Sequence, residues 1–305
     1  MSRFDRQSFL GPGSEARLDA ATIGIVGLGG GGSHEVQQFA HVGVGGYVVA
    51  DPDYMEDTNS NRLIGGTLRD AAVSRAKYKI ARRMIRGLQP HARVIALRKR
   101  WQETTDALKT CDIIMGAVDG FAEREELERF ARRHLIPYID IGMDVHDLGK
   151  DGFLISGQVV LSTPGSPCLR CCGVVTDERL AEEAGKYGAA GERPQVVWPN
   201  GVLASTAVGL AAQLLTPWHP NPPAFAFLEY DGNRGTVSVS AHVAALKGHV
   251  CQHHPPEEAG DPFFDIRAHL KTVEERHAPF WRRSLRPASA AFRAALRRFS
   301  AVMSR

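Results

Sequence analysis

One short segment does most to limit what this chain can fold into. Thr22–Val26 (TIGIV) is an apolar, β-branched run, and Gly27-Leu28-Gly29-Gly30-Gly31-Gly32 follows it directly. A short apolar run ending in glycines predicts a buried parallel strand. A helix is expected over about 31–41. Glycines in this position let the backbone approach a phosphate or a nucleoside closely, and the helix N-terminus favours negative charge. Asp51 ends the next strand, expected at 47–50, and lies 21 residues after Gly30. A carboxylate there can accept hydrogen bonds from a ribose hydroxyl. Gly27, Gly29, Gly30 and Asp51 are therefore candidate nucleotide-binding residues.

The alternation continues, with a helix expected over 69–88 and stopped before Pro90. Short strands are expected at 94–97, 112–116 and 138–141, with a charged helix before the last. This pattern predicts an α/β fold with a Rossmann-like, doubly wound parallel sheet. After about residue 152 it changes. Phe153–Ser162 alternates as an antiparallel strand does, and 224–230 with 235–240 reads as a further antiparallel pair. Between them lie a Gly-rich stretch at 184–194 and an apolar helix expected over 202–215. These are read as a continuation of the same sheet. The expected division is one domain over 1–254, then a linker and a basic amphipathic helical tail over 255–305. In that tail Phe292, Leu296, Phe299 and Val302 form an apolar stripe among arginines. Such a helix is suited to its own domain, a dimer mate or partner protein, a membrane, or RNA.

Three charged residues decide what kind of nucleotide to expect. Arg62 and Lys77 follow the ribose-binding carboxylate closely, as a triphosphate would require and a dinucleotide would not. Asp119 ends the fourth strand, at the sheet edge where ligands collect, and a carboxylate there suits Mg²⁺. With 37 Lys and Arg against 34 Asp and Glu, the net charge of +3 is too small to make the whole chain a nucleic-acid binder. No apolar run approaches the roughly 20 residues needed to cross a bilayer, and the first twenty residues contain no apolar signal core. Five cysteines, three of them crowded together, argue against a disulfide framework and for a cytoplasmic location.

Cys168-x-x-Cys171 and Cys251-x-x-His254 repeat one spacing about eighty residues apart. Two such pairs converging would make a closed four-ligand zinc site. His254 is the expected fourth ligand and His253 the alternative. Cys172 is left over, and Cys111 begins a core strand.

With these residues in place the chain resembles the ThiF/MoeB/HesA superfamily, bacterial relatives of ubiquitin-activating enzymes. The resemblance rests on Arg3-Phe4-Asp5-Arg6-Gln7, the glycine loop at 27–33, ADPDYMEDTNSNR at 50–62, and Lys77 ahead of Gln89-Pro90. Further landmarks are Val118-Asp119, Pro167-Cys168-Leu169-Arg170-Cys171, Tyr230-Asp231-Gly232 and Cys251. It implies that Gly30, Asp51, Thr58, Asn59, Arg62, Lys77 and Asp119, with Gly120 adjoining, bind Mg-ATP. It also implies that Arg6 reaches the phosphates of a partner subunit's site in a homodimer. The implied activity is adenylation of the C-terminal carboxylate of a small ubiquitin-like or sulfur-carrier protein. A tRNA threonylcarbamoyl-adenosine dehydratase-like or peptide-adenylating enzyme is the alternative, and a nucleotide-binding scaffold the non-enzymatic one. Two departures stand out: Gly120 replaces the family's usual Asn, and the 58–62 motif lacks its Leu. Many relatives also keep a catalytic cysteine in the crossover loop, expected here over about 173–199. No cysteine lies between Cys172 and Cys251. Adenylation without a thioester of its own is therefore expected, with the acyl group passed to a thiol or amine elsewhere.

Overall fold

The computed structural model describes residues 3–185 and 194–277. It contains an eight-stranded sheet in the order β3-β2-β1-β4-β5-β6-β7-β8. The parallel part comprises β1 (Thr22–Val26), β2 (Gly46–Ala50), β3 (Arg93–Leu97), β4 (Ile113–Gly116) and the start of β5 (Tyr138–Asp147). The antiparallel part adds β6 (Phe153–Ser162), β7 (Ala226–Asp231) and β8 (Thr236–Val239). The parallel half continued by antiparallel strands matches the fold class expected from the sequence.

The helices are α1 (Ser14–Ala20), α2 (Gly30–Val42), α3 (Leu68–Ala72), α4 (Lys77–Leu88) and α5 (Thr105–Leu108). They continue with α6 (Phe121–Arg133), α7 (Asp177–Gly185), α8 (Val197–Leu215), α9 (His242–Ala245) and α10 (Ile266–His277). Every residue of β2 and β4 is buried, as strands covered on both faces require. α2 ends where Gly43 takes a left-handed φ of 98° and its N–H returns to the Phe39 carbonyl. α2 and α8 pack on each other, and α8 also lies on β5 and β6, so Val36, Phe39, Leu203 and Ala207 are fully buried.

Three local expectations need correction. The helix expected over 69–88 is two helices. Thr67 and Asp70 close a capping box on α3, and Ser74 then adopts φ 44°. The break lets the buried Asp70 carboxylate take both Arg75 and Arg83, at 2.5 and 2.7 Å. It also lets the Lys77 N–H reach the Asp53 carbonyl. β5 runs six residues past the strand expected at 138–141, because β6 pairs with its whole length while β4 pairs only with Tyr138–Asp140. α8 starts five residues earlier than expected. Pro199 sits in its first turn, where a missing N–H forgoes no intrahelical bond.

The chain divides into two compact units, 1–264 and 265–305. The first runs ten residues beyond the boundary expected at 254. Residues 253–262 have the composition of a linker, yet Glu258 pairs with Arg133 at 2.6 Å and the Asp261 N–H bonds the Arg133 carbonyl at 2.7 Å. In the second unit α10 is described. The apolar stripe at 292–302 and most of the Gly-rich stretch lie outside the described residues.

Candidate active site

β1 and β4 are neighbours whose following segments diverge, so their carboxyl ends open a crevice at the switch point of the sheet. A cavity of about 440 Å³ lies there. Gly27, Gly29, Gly30, Asp51, Asn59, Arg62, Lys77 and Asp119 all line it. Thr58, Gly120 and Arg6 do not. The exposed Thr58 contributes its carbonyl, which accepts a 2.7 Å hydrogen bond from Arg62. Arg6 is exposed, at the N-terminal end of the chain.

Two glycines show why the loop has this composition. Gly27 has φ +84°, and a Cβ there would collide with the Ala117 carbonyl just past β4. A Cβ on Gly30 would come within 2.6 Å of the Asn200 amide. The Asp51 carboxylate accepts the Leu28 N–H at 2.7 Å and the Asp53 N–H at 2.8 Å, which fixes it at the end of β2 facing the loop. Burial pushes its pKa above the usual carboxylate value, opposed by the Lys77 charge and those two N–H groups. The Lys77 ammonium is 3.0 Å from Asp53, with only 12% of its side chain exposed. Arg62 also donates to Asn61, at 2.9 Å. Both cations are therefore held at the cavity by groups of the same 51–62 segment.

Gly120 has a local explanation. Glu183 of α7 reaches the N-terminus of α6, where it accepts the Phe121 and Ala122 N–H groups at 3.1 and 3.0 Å. A Cβ on Gly120 would lie 2.8 Å from the Glu183 oxygen. In this chain the space next to Asp119 is filled by a carboxylate from α7, a helix that the residue pattern does not announce.

Several lining residues also escape a reading of the sequence. Arg100, Glu123, Arg124, Gln195 and Asn200 all face the cavity. Gln195 donates to Asp119 at 3.2 Å, and Asn200 donates to the Val196 carbonyl at 2.9 Å. Burial raises the pKa of Glu123, with Arg100 opposing and Asp119 reinforcing the shift. Arg124 is buried against Asp140 at 3.1 Å, and burial lifts Asp140 to about 6. The only available signal was the charged run on α6 and the Asn that follows Pro199, and neither has motif spacing.

At the far end of α6, Cys168, Cys171, Cys251 and His253 present four donor atoms within 4.8 Å of one another. The two thiols of the first pair are 3.5 Å apart, and His253 Nδ1 is 3.5 Å from each. A tetrahedral zinc with ordinary Zn–S and Zn–N bonds needs donor separations of roughly 3.6–3.8 Å. The donor set therefore fits such an ion. The expected fourth ligand, His254, has its Nε2 3.8 Å from the buried Glu128 carboxylate, and it forms a second group with Glu128 and Cys168 whose donor atoms lie within 4.8 Å of one another. Glu128 also accepts from Ser162, Arg132 and the Leu169 N–H, so the backbone carrying Cys168 is tied to α6. A single residue step separates His253, which meets all three thiols, from His254, which meets Glu128 and Cys168, and spacing alone could not decide between them. His249 Nε2 also lies 3.2 Å from Cys171. A hydrogen bond from Cys168 holds the Cys251 thiol well below its usual pKa. Cys172 is buried, which pushes its thiol up to about 12, and Cys111 is pushed to about 12 by the same cause.

The ThiF family profile matches residues 4–258. The chain belongs to the ThiF family. Among curated proteins it is 28% identical over 176 residues to the SAMP-activating enzyme E1 of Haloferax volcanii, covering 56% of this chain and 61% of that one. It is 30% identical over 177 residues to the sulfur carrier protein ThiS adenylyltransferase of Escherichia coli (strain K12), covering 55% and 66%. The match thus spans less than two thirds of either relative. Among solved structures, the microcin C7 biosynthetic enzyme MccB in complex with N-formylated MccA shares the fold. Its TM-score is 0.64 at 20% identity, over 78% of this chain and 72% of that one. Among the described residues of this ThiF-family chain, no helix is long and apolar enough to cross a membrane.

Proposed function

We propose that this ThiF-family protein is an adenylyltransferase that activates the C-terminal carboxylate of a small ubiquitin-like or sulfur-carrier protein. The observation that carries the reading is convergence on one cavity. The glycine loop after β1, Asp51 after β2, Arg62 and Lys77 beyond it, and Asp119 after β4 all line the same 440 Å³ space. The names of the two curated relatives supply the substrate class.

A carboxylate is a poor acyl donor because its leaving group would be oxide. In the proposed step a carboxylate oxygen bonds to the α-phosphorus of ATP, and the bond from that phosphorus to the bridging oxygen breaks. The electron pair leaves with pyrophosphate, and the product is an acyl-adenylate. The protein needs no covalent part in this; positioning and charge neutralisation carry it. Gly27, Gly29 and Gly30 allow close approach of the nucleotide, and Asp51 receives the ribose hydroxyls. Asn59, Arg62 and Lys77 hold the phosphates. Asp119 is the residue that would hold Mg²⁺, which when bound neutralises charge on the departing pyrophosphate. Arg6, exposed and away from its own cavity, is suited to a second copy's site in a homodimer. The Cys168, Cys171, Cys251 and His253 set would hold structural zinc, with His253 in the place that spacing gives to His254. The buried, high-pKa Cys172 is a poor nucleophile, so a separate thiol protein would accept the acyl group. The presence of Arg62, Lys77 and Asp119 together at one cavity counts against a nucleotide-binding scaffold without chemistry.

Calorimetric titration of ATP and ATP–pyrophosphate exchange with candidate carrier proteins test the reading. Lys77→Ala should weaken ATP binding at least tenfold, and Asp119→Ala should abolish exchange. Unchanged ATP binding in Lys77→Ala, or full exchange in Asp119→Ala, would refute it.

A further inference from the structure

The net charge of +3 conceals a strong segregation. Residues 71–102 contain ten Lys and Arg and no Asp or Glu, so the rest of the chain carries 27 bases against 34 acids. This segment is α4 with the edge strand β3, which pack on each other at one margin of the sheet.

Part of that charge is committed. Arg75 and Arg83 neutralise the buried Asp70, Arg93 bonds the Asp19 and Ala20 carbonyls, and Lys77 and Arg100 line the nucleotide cavity. Lys79, Arg82, Arg98 and Lys99 are exposed, and no ion pair holds them among the described residues. Lys79, Arg82 and Arg86 stand at i, i+3 and i+7, on one face of α4. A second cavity, of about 370 Å³, joins the start of that face to the end of β3. Its walls bring Arg75, Lys79 and Arg98 together with Tyr54 and Tyr78, and Ser74, with its left-handed φ of 44°, forms part of the wall. The Arg98 guanidinium lies 5.1 Å over the Tyr54 ring.

We propose that the α4–β3 margin, with this cavity at its head, binds single-stranded nucleic acid through its phosphodiester backbone. Cations along a helix face track a chain of phosphates, and the exposed Tyr54 ring beside them gives a base a surface on which to stack. Of the four exposed cations, Arg82 and Arg98 carry a planar fork that matches phosphate oxygens, and Lys79 and Lys99 add point charges. An acidic protein surface would answer to the charge and leave the exposed Tyr54 ring unused. The site lies beside the nucleotide cavity and is separate from the residues assigned to adenylation.

The test is fluorescence anisotropy of a fluorescein-labelled 20-nucleotide oligo(U) RNA with the full chain across a KCl series. A fourfold variant, Lys79→Gln, Arg82→Gln, Arg98→Gln and Lys99→Gln, should bind at least tenfold more weakly at about 100 mM salt. Removing one phosphate-binding cation should lower the slope of log affinity against log salt by about 0.7, so by about 3 for all four. Tyr54→Ala should weaken binding and leave that slope unchanged. Thermal midpoint and ATP binding, measured on the same samples, should stay at the unsubstituted protein's values. The proposal is overturned if the fourfold variant, folded by those measures, binds RNA as the unsubstituted protein does. That result would place RNA binding elsewhere in the chain. It is equally overturned if polyglutamate competes as well as unlabelled RNA, since the surface would then be one for acidic proteins.

Discussion

Glu35 lies on α2, five residues after Gly30, and is fully buried. Neither carboxyl oxygen has a hydrogen-bond partner among the described residues. Burial, reinforced by the nearby Asp140 charge, raises its pKa from 4.5 to about 8. The folded protein therefore keeps a proton that the unfolded chain releases near pH 4.5. A raised folded-state pKa means the stabilisation is fully present below pH 4.5 and is lost as pH rises toward 8. Each pH unit in that window costs about 1.4 kcal/mol, so between pH 5 and pH 8 this group removes roughly 3–4 kcal/mol. Glu35→Gln cannot ionise. Its amide is left buried without partners at a cost of about 1–3 kcal/mol, but that cost does not depend on pH and cancels when two pH values are compared. Urea unfolding of the unsubstituted protein and the variant at pH 5 and pH 8 gives the double difference. The variant should gain roughly 3–4 kcal/mol on the unsubstituted protein between those pH values. Parallel pH profiles for the two proteins would refute the reasoning and show that Glu35 is hydrated or paired in solution.

Two further outcomes follow from the cysteine geometry. Purified protein should contain about one zinc per chain, as a single four-ligand site requires. His253→Ala should lower that content far more than His254→Ala, as read by inductively coupled plasma mass spectrometry; the reverse order would return His254 to the metal. Incubation with ATP and a cognate carrier protein should give no thiol-sensitive conjugate on non-reducing gels, and Cys172→Ser should leave pyrophosphate exchange unchanged. A reducible conjugate that disappears in Cys172→Ser would show that this buried thiol becomes a nucleophile.

The parts of the site that lie within one strand–loop–helix unit were legible in the sequence. TIGIV followed by glycines, Asp51 closing β2 and Asp119 after β4 each announce themselves locally, because a buried strand, a tight turn and a strand terminus have their own residue requirements. Their order along the chain was enough to bring Gly27, Asp51, Lys77 and Asp119 to one cavity, since right-handed parallel crossovers leave few alternatives. The antiparallel continuation was equally visible in the alternation of Phe153–Ser162.

Only the tertiary structure could decide how segments far apart in sequence meet. Glu183 fills the space beside Gly120, Asn200 packs on Gly30, and Ser74 breaks a helix so that Asp70 can hold two arginines. None of these has a period or a spacing, because each depends on where a second segment happens to lie. His253 and His254 are chemically identical neighbours, and only the path of the chain past Glu128 assigns one to the thiols and the other to the carboxylate. Composition likewise recorded a near-neutral protein. Ten cations already stand together in residues 71–102, but only the fold commits Arg75, Arg83, Arg93, Lys77 and Arg100 to other partners and leaves Lys79, Arg82, Arg98 and Lys99 exposed.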